Sequence, residues 1–176
     1  SFAFEVVIGD DCSTDQTRSI LLTYQQQHAD RIRLRLAKEN LYSQKLKQSI
    51  GVFGACRGRY IALCEGDDYW TDPEKLEKQV ALLESNPDLS GSFHRVHLLD
   101  EATRKLTPQK LRAADRCTLD DLLGGNFINT ASMVIRSGLI NPFPQFFYTV
   151  PFGDWALFVL QAEHGDIGYI DDIMAV

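Results

Sequence analysis

The sequence holds no uninterrupted apolar run near the ~20 residues that a membrane span needs. No basic, apolar and small-residue leader opens it either. Basic residues are the minority, 18 Lys and Arg against 24 Asp and Glu, for a formal net charge of −6. A nucleic-acid footprint needs the reverse, a clustered surplus of Lys and Arg, so no nucleic-acid partner is expected. Cysteine is sparse too. Cys12, Cys56, Cys64 and Cys117 form no C-x-x-C pair, and no His stands where it would complete a zinc site with them. Reduced, mostly buried thiols in a cytoplasmic protein are the expectation. Internal repeats and low-complexity tracts are absent.

What is present suits one domain: 176 residues, 44% hydrophobic and 24% charged, enough to bury a core of ordinary size. Phe4 to Ile8 is a short apolar run ending in Gly9-Asp10-Asp11, the composition of a buried strand entering a polar loop. Ser13-x-x-Gln16 has capping-box form before an apolar stripe of Ile20, Leu21 and Tyr24. Ile32 to Leu36 alternates with period 2, and a helical stretch follows from about Ser43 to Cys56. Tyr60 to Cys64 reads as a third buried strand, running into Glu65-Gly66-Asp67-Asp68. Thr71-x-x-Glu74 with Pro73 starts a helix whose buried face is Leu76, Val80 and Leu83. Alternating strands and helices predict an α/β domain with a parallel sheet.

Beyond this, Ser90 to Leu99 predicts a strand, and the charged stretch from Asp100 to Asp115 a loop or hairpin. Thr118 opens a short capped helix, Ala131 to Ile135 is strand-like, and Pro142 to Pro151 is an aromatic loop. Trp155, Phe158, Val159 and Ala162 fall at helical spacing. The chain begins at Ser1 without Met and ends in strand-like sequence from Tyr169, so further sequence is expected at both ends.

Ligands of open parallel sheets sit beyond the carboxyl ends of the strands. Two acidic loops that each follow a strand are therefore expected on one rim, bringing Asp10, Asp11, Asp67 and Asp68 together. Such crowding is costly unless a cation or hydrogen-bond donors relieve it. A hard divalent ion, Mn²⁺ or Mg²⁺, accepts oxygen ligands and is completed by substrate phosphates. The plainer alternative is that Asp-Asp after a strand only solvates a loop or caps a helix. A calcium loop at Asp11 to Leu22 is excluded, because the required Gly and Glu are replaced by Gln16 and Leu22.

The segment Glu5-Val6-Val7-Ile8-Gly9-Asp10-Asp11-Cys12-Ser13-Thr14-Asp15 resembles the D-D-x-S-x-D segment of family 2 glycosyltransferases. Arg59 to Asp68 resembles the segment of that family ending in its D-x-D-like metal motif, and Asp72 to Gln79 matches its Asp-Pro-x-x-Leu-x-x-Gln run. The resemblance is clear over about residues 4–90 and looser from Gly124 onward. It implies a single A-type glycosyltransferase domain, α/β, with a Rossmann-like parallel or mixed sheet flanked by helices. Its nucleotide-sugar-binding half would span about 1–98 and its acceptor half about 99–176.

The resemblance also implies roles. Asp11, with Ser13 beside it, would bind the donor nucleoside, Asp67 would face the ribose, and Asp68 would ligate Mn²⁺ or Mg²⁺. Asp154 falls where the family places its catalytic carboxylate, although a helix N-cap would also favour Asp. Tyr69 and Trp70 would line the sugar or acceptor pocket, or simply pack. Thr130 and Ser132 resemble the small polar stretch under the acceptor, or form a strand edge. Lys45 and Lys47 are candidates for a cationic phosphate contact, while His94 and His97 read as structural. The family's opening strand and its Y-R-x-H-like segment are not in the sequence.

The implied activity is inverting transfer from a nucleoside-diphosphate sugar, usually a UDP-sugar, to a saccharide or lipid-linked acceptor in bacterial envelope polysaccharide synthesis. The expected location is the cytoplasm, extending to the inner face of the cytoplasmic membrane by peripheral association. A sugar-1-phosphate nucleotidyltransferase and a non-catalytic nucleotide- or carbohydrate-binding relative are the alternatives.

Overall fold

A computed structural model of the chain describes residues 2–111 and 114–176. Its backbone divides into two compact units, Ser1–Gly58 with Phe143–Val150, and Arg59–Pro142 with Pro151–Val176. The architecture is α/β, with mixed strand pairing and flanking helices.

In the first unit, the β-branched run forms strand β1 (Val6–Asp10), paired in parallel with β2 (Ile32–Leu36). Helix α1 (Thr17–Gln27) connects them, and α2 (Gln48–Phe53) follows. The expected capping box at Ser13 is not formed. Instead the helix begins at Thr17, whose N–H donates to Asp15 Oδ1 at 2.9 Å. That short Asp loop competes with an earlier helical turn. Ile20 and Tyr24 are 50% and 52% exposed, so the anticipated stripe is not a buried face. Two strands offer too little surface to cover it.

Other forces hold this unit. Phe147 is fully buried and stacks on Phe143 at 4.6 Å, which meets Phe53 at 5.9 Å. Glu5 accepts from the Arg57 N–H at 2.7 Å and from the Arg33 guanidinium at 3.0 Å, and pairs with that of Arg57 at 2.9 Å. Burial pushes the Glu5 carboxyl up, but those donors overcome it and hold it at about 2.

The second unit contains the larger sheet, in the order β3 (Tyr60–Ala62), β7 (Val134–Arg136), β4 (Gly91–Asp100), β8 (Ile167–Ala175) and β6 (Arg116–Cys117). Only β4 and β8 run parallel; β3 pairs antiparallel with β7. The sheet is thus mixed, within the parallel or mixed sheet expected, because β7, far along the chain, and not a neighbouring strand, pairs with β3. The segment from Asp100 does form a hairpin, β5 (Lys105–Pro108) against β4. Positions 112 and 113 of that segment lie outside the described residues.

Helix α3 (Lys75–Ser85) starts where Asp72 Oδ1 accepts from the Glu74 N–H at 2.7 Å, rather than from a Thr71 cap. Its buried stripe is Lys75, Gln79 and Leu83, at i, i+4 and i+8. Leu83 joins Leu89 and Val134 in the core, with Tyr60, Ala62, Leu76 and Leu82 against them. Helix α4 (Leu119–Leu123) is capped as predicted by Thr118, in a capping box with Asp121, and α5 (Gly153–Ala162) buries Phe158 and Ala162 as its spacing indicated. Of the cysteines, all free, Cys117 alone is buried and Cys64 is exposed, which corrects the expectation of mostly buried thiols.

Glu5→Gln should reduce stability by about 1–3 kcal/mol near neutral pH, the range for a hydrogen bond to a charged group. Because the folded carboxyl titrates at about 2 against an ordinary value of 4.5, its contribution is complete above 4.5 and is lost as pH falls through about 2. Denaturant unfolding of wild type and variant should therefore converge across that window.

Candidate functional site

Strand β3 is only three residues long, so the chain leaves the sheet early and the polar sequence Glu65-Gly66-Asp67-Asp68 forms a turn at its end. Backbone bonds fix that turn on both sides. Leu63 N–H donates to Met133 O at 3.0 Å before it, and Asp68 N–H to Glu65 O at 3.3 Å within it. After it, Tyr69 and Val176 exchange both backbone bonds at 3.1 and 2.9 Å, and Thr71 N–H reaches Met174 O at 2.9 Å. The end of β8 thus acts as a template for residues 69–71.

The carboxylates of this turn are electrostatically crowded. Partial desolvation raises Asp68, and Asp67 raises it further. Glu65 is raised by desolvation, relieved in part by Thr130, and raised again by Asp68, Asp67 and Asp154. Four acidic side chains of one unit therefore share a neighbourhood. Glu65 was not among the residues singled out from sequence. Its only signal was its place two residues before the Asp pair, where loop composition hid it.

Asp154 lies in the first turn of α5, half-buried, and is not its N-cap. The cap is Phe152, without a side-chain bond. The carboxyl accepts from Asn126 Nδ2 at 3.1 Å, a partner that no sequence spacing indicated. Of the expected pocket residues, Tyr69 and Trp70 are 49% and 37% exposed. Trp70 is anchored by Nε1–H donating to Ala131 O at 3.0 Å. Thr130 is half-buried, whereas Ser132 is fully buried and donates to Asn129 O at 2.7 Å, supporting its segment from within.

Asp11 and Ser13 lie in the first unit, on the loop after β1. Asp10 is the buried one of the Asp pair: Arg18 donates to its Oδ2 twice, at 3.0 and 2.6 Å. Burial raises Asp10, but the bonds from Ser13 and Arg18 outweigh it and hold the carboxyl low. Asp11 accepts from Leu41 N–H at 2.7 Å on one oxygen and Tyr42 N–H at 2.9 Å on the other. Each oxygen keeps a further lone pair. Of the two lysines considered for a phosphate contact, Lys47 is committed to Val150 O at 2.7 Å, and Lys45 remains exposed.

The sequence matches Glycosyl transferase family 2 over residues 2–139. The Mycobacterium tuberculosis (strain H37Rv) protein Rv1520, whose own description is uncharacterized, is 37% identical over 99% of this chain and 50% of its own length. TuaG of Bacillus subtilis (strain 168), named for a role as a teichuronic acid biosynthesis glycosyltransferase, is 30% identical over 75% of this chain and 50% of its own. The chain spans about half the length of these relatives. The crystal structure of S. aureus TarS 1–349 superimposes with a TM-score of 0.69 over 98% of this chain and 50% of that one, at 20% identity, a likeness of fold.

Since Asp67 raises both neighbours, Asp67→Asn should let Glu65 and Asp68 release their protons at lower pH than in the wild type. Carboxyl-carbon NMR titration reads this directly; unmoved midpoints would mean that Asp67 does not act on Glu65 or Asp68.

Proposed function

This chain belongs to Glycosyl transferase family 2, and from that premise we propose that it moves a sugar with inversion from a nucleoside-diphosphate sugar, usually a UDP-sugar, to a saccharide or lipid-linked acceptor. The carrying observation is the gathering of Glu65, Asp67, Asp68 and Asp154 around one strand end. The name of TuaG, a teichuronic acid biosynthesis glycosyltransferase, supports envelope polysaccharide synthesis as the setting.

The donor set fits a hard cation: carboxylate oxygens only, with Glu65 and Asp68 raised by desolvation and by neighbouring carboxylates. Among the described residues, no three His, Cys, Asp or Glu side chains form a cage by themselves. Ligation by one or two carboxylates, completed by a diphosphate, is the Mg²⁺ pattern. In this reading Asp68 holds Mn²⁺ or Mg²⁺, with Glu65 and Asp67 beside it. The cation would neutralise the departing nucleoside diphosphate.

The chain's own residues do the rest. Asp67 faces the ribose, while Asp11 and Ser13 recognise the nucleoside by their own loop. Tyr69, Trp70 and Thr130 line the sugar and acceptor side. As the anomeric bond breaks and oxocarbenium character develops, Asp154 takes the proton of the attacking acceptor hydroxyl from the opposite face. Asn126 orients Asp154 by its hydrogen bond. No helix among the described residues is long and apolar enough to cross a membrane; we place the protein in the cytoplasm, peripheral to the inner membrane face.

Two variants test this. Asp68→Ala should abolish Mn²⁺-dependent binding of the UDP-sugar while the fold persists, and unchanged affinity for both would sink the metal assignment. Asp154→Asn should retain donor binding but lower turnover by about 10²–10⁴-fold, the usual value of a general base. Product analysis completes the test: release of nucleoside diphosphate is expected, and pyrophosphate would instead indicate nucleotidyl transfer.

A further inference from the structure

The most unusual residue outside the acidic turn is Lys75, at the start of α3. It is 1% exposed. An ammonium removed from water is costly unless a carboxylate pairs with it. Among the described residues it has no ion-pair partner; Nζ donates to Gln79 Oε1 at 2.8 Å and stands 4.3 Å from the centroid of the Trp70 ring. A desolvated cation over an indole face is attracted by the ring quadrupole.

Both contacts lead to the functional segments. Trp70 stands two residues after Asp68, and its Nε1–H donates to Ala131 O, next to Thr130. Gln79 Nε2 donates to Ser132 O at 2.9 Å and to Ser92 O at 3.0 Å. One buried ammonium thus touches the two side chains that join the 65–70 turn, the 130–132 segment and β4. No core-filling role requires a lysine here, since Met would occupy similar space without the desolvation cost.

We propose that Lys75 is a positioning residue, whose buried ammonium holds the Trp70 indole and the Gln79 amide so that the Asp67–Asp68 turn and the Thr130–Ser132 segment keep one fixed arrangement. The proposal rests on the glycosyltransferase reading for its consequence in donor binding, not for the contact itself.

The surroundings make the contact observable. Burial lowers Lys75 to about 7, with Cys64 pulling it back up. The other groups acting here titrate elsewhere. Burial raises the Cys64 thiol above its ordinary 9.0, aided by Asp68, Glu65 and Asp67 against the pull of Lys75. His94, on β4, is lowered by burial to about 4, with Lys75 lowering it further and Asp172 and Asp72 raising it. Its Nδ1 lies 2.7 Å from Arg95 O, and its Nε2 has no hydrogen-bond partner among the described residues.

The experiment uses the full chain with Trp155→Phe, leaving Trp70 as the sole tryptophan of the two in the sequence. With Lys75 present, Trp70 emission should shift between pH 6 and 8 as the ammonium deprotonates; with Lys75→Met it should be flat. A flat titration with Lys75 present overturns the proposal, whatever the variant's folding. Against Mn²⁺–UDP, Lys75→Met should bind about tenfold more weakly, within the range of a desolvated cation–π contact, with its melting temperature unchanged or raised. In a Trp70→Leu background the same substitution should have no further effect; additive losses overturn the brace. If the parent protein fails to bind Mn²⁺–UDP, the functional reading falls, and the emission titration still decides the role of Lys75.

Discussion

Like charge held close together is the constraint on which the second unit depends. Asp67, Asp68 and Asp154 each disfavour the ionised state of Glu65, and Asp67 that of Asp68 as well, so left alone their loops would move apart. What resists is largely backbone. The turn after β3 is pinned at its entry by β7-side bonds and at its exit by the last residues of β8. These strand bonds do not depend on the protonation of any side chain. A site that must tolerate both the crowded and the neutralised state is better anchored by peptide groups than by ion pairs, which would titrate with it.

The sequence made the acidic turns, the helix carrying Asp154 and the capped α4 legible, because each depends on signals a few residues apart. It was misleading where the deciding contact is distant. The antiparallel pairing of β3 with β7 joins Tyr60 to Arg136, and nothing near either residue announces it. Helix starts failed for a subtler reason. Ser13 and Thr71 satisfy the capping pattern, but Asp15 and Asp72 offer their carboxylates to backbone N–H groups two residues on, and those Asp turns set where α1 and α3 begin.

Polarity was the other source of error. A hydrophobic stripe on α3 was expected at Leu76, Val80 and Leu83, yet the innermost face is Lys75, Gln79 and Leu83. Periodicity finds such a face only if the residues on it are apolar. Gln79 and Gln161 are both essentially unexposed, and each spends its amide on backbone carbonyls: Ser92 O and Ser132 O for the one, Ser90 O and Arg136 O for the other. A buried amide with satisfied bonds costs little and fixes geometry more sharply than an aliphatic side chain. The core beneath the site is therefore specified by directional contacts as well as by volume.

The first unit shows the same division of labour within a single Asp pair. Asp10 and Asp11 are adjacent and chemically identical, but in a strand successive side chains point to opposite faces, and here the strand ends between them. Asp10 turns inward, where Arg18 neutralises it and also donates to Ala37 O at 2.7 Å, locking the β1 loop to the end of β2. Asp11, half-buried, meets only backbone N–H donors among the described residues. These are neutral, so its charge is not cancelled and its spare lone pairs remain available to a donor from outside. An acidic pair in a motif need not mean two ligands. Burial and a cationic partner make Asp10 a support of the fold, a role that Asp11 does not share.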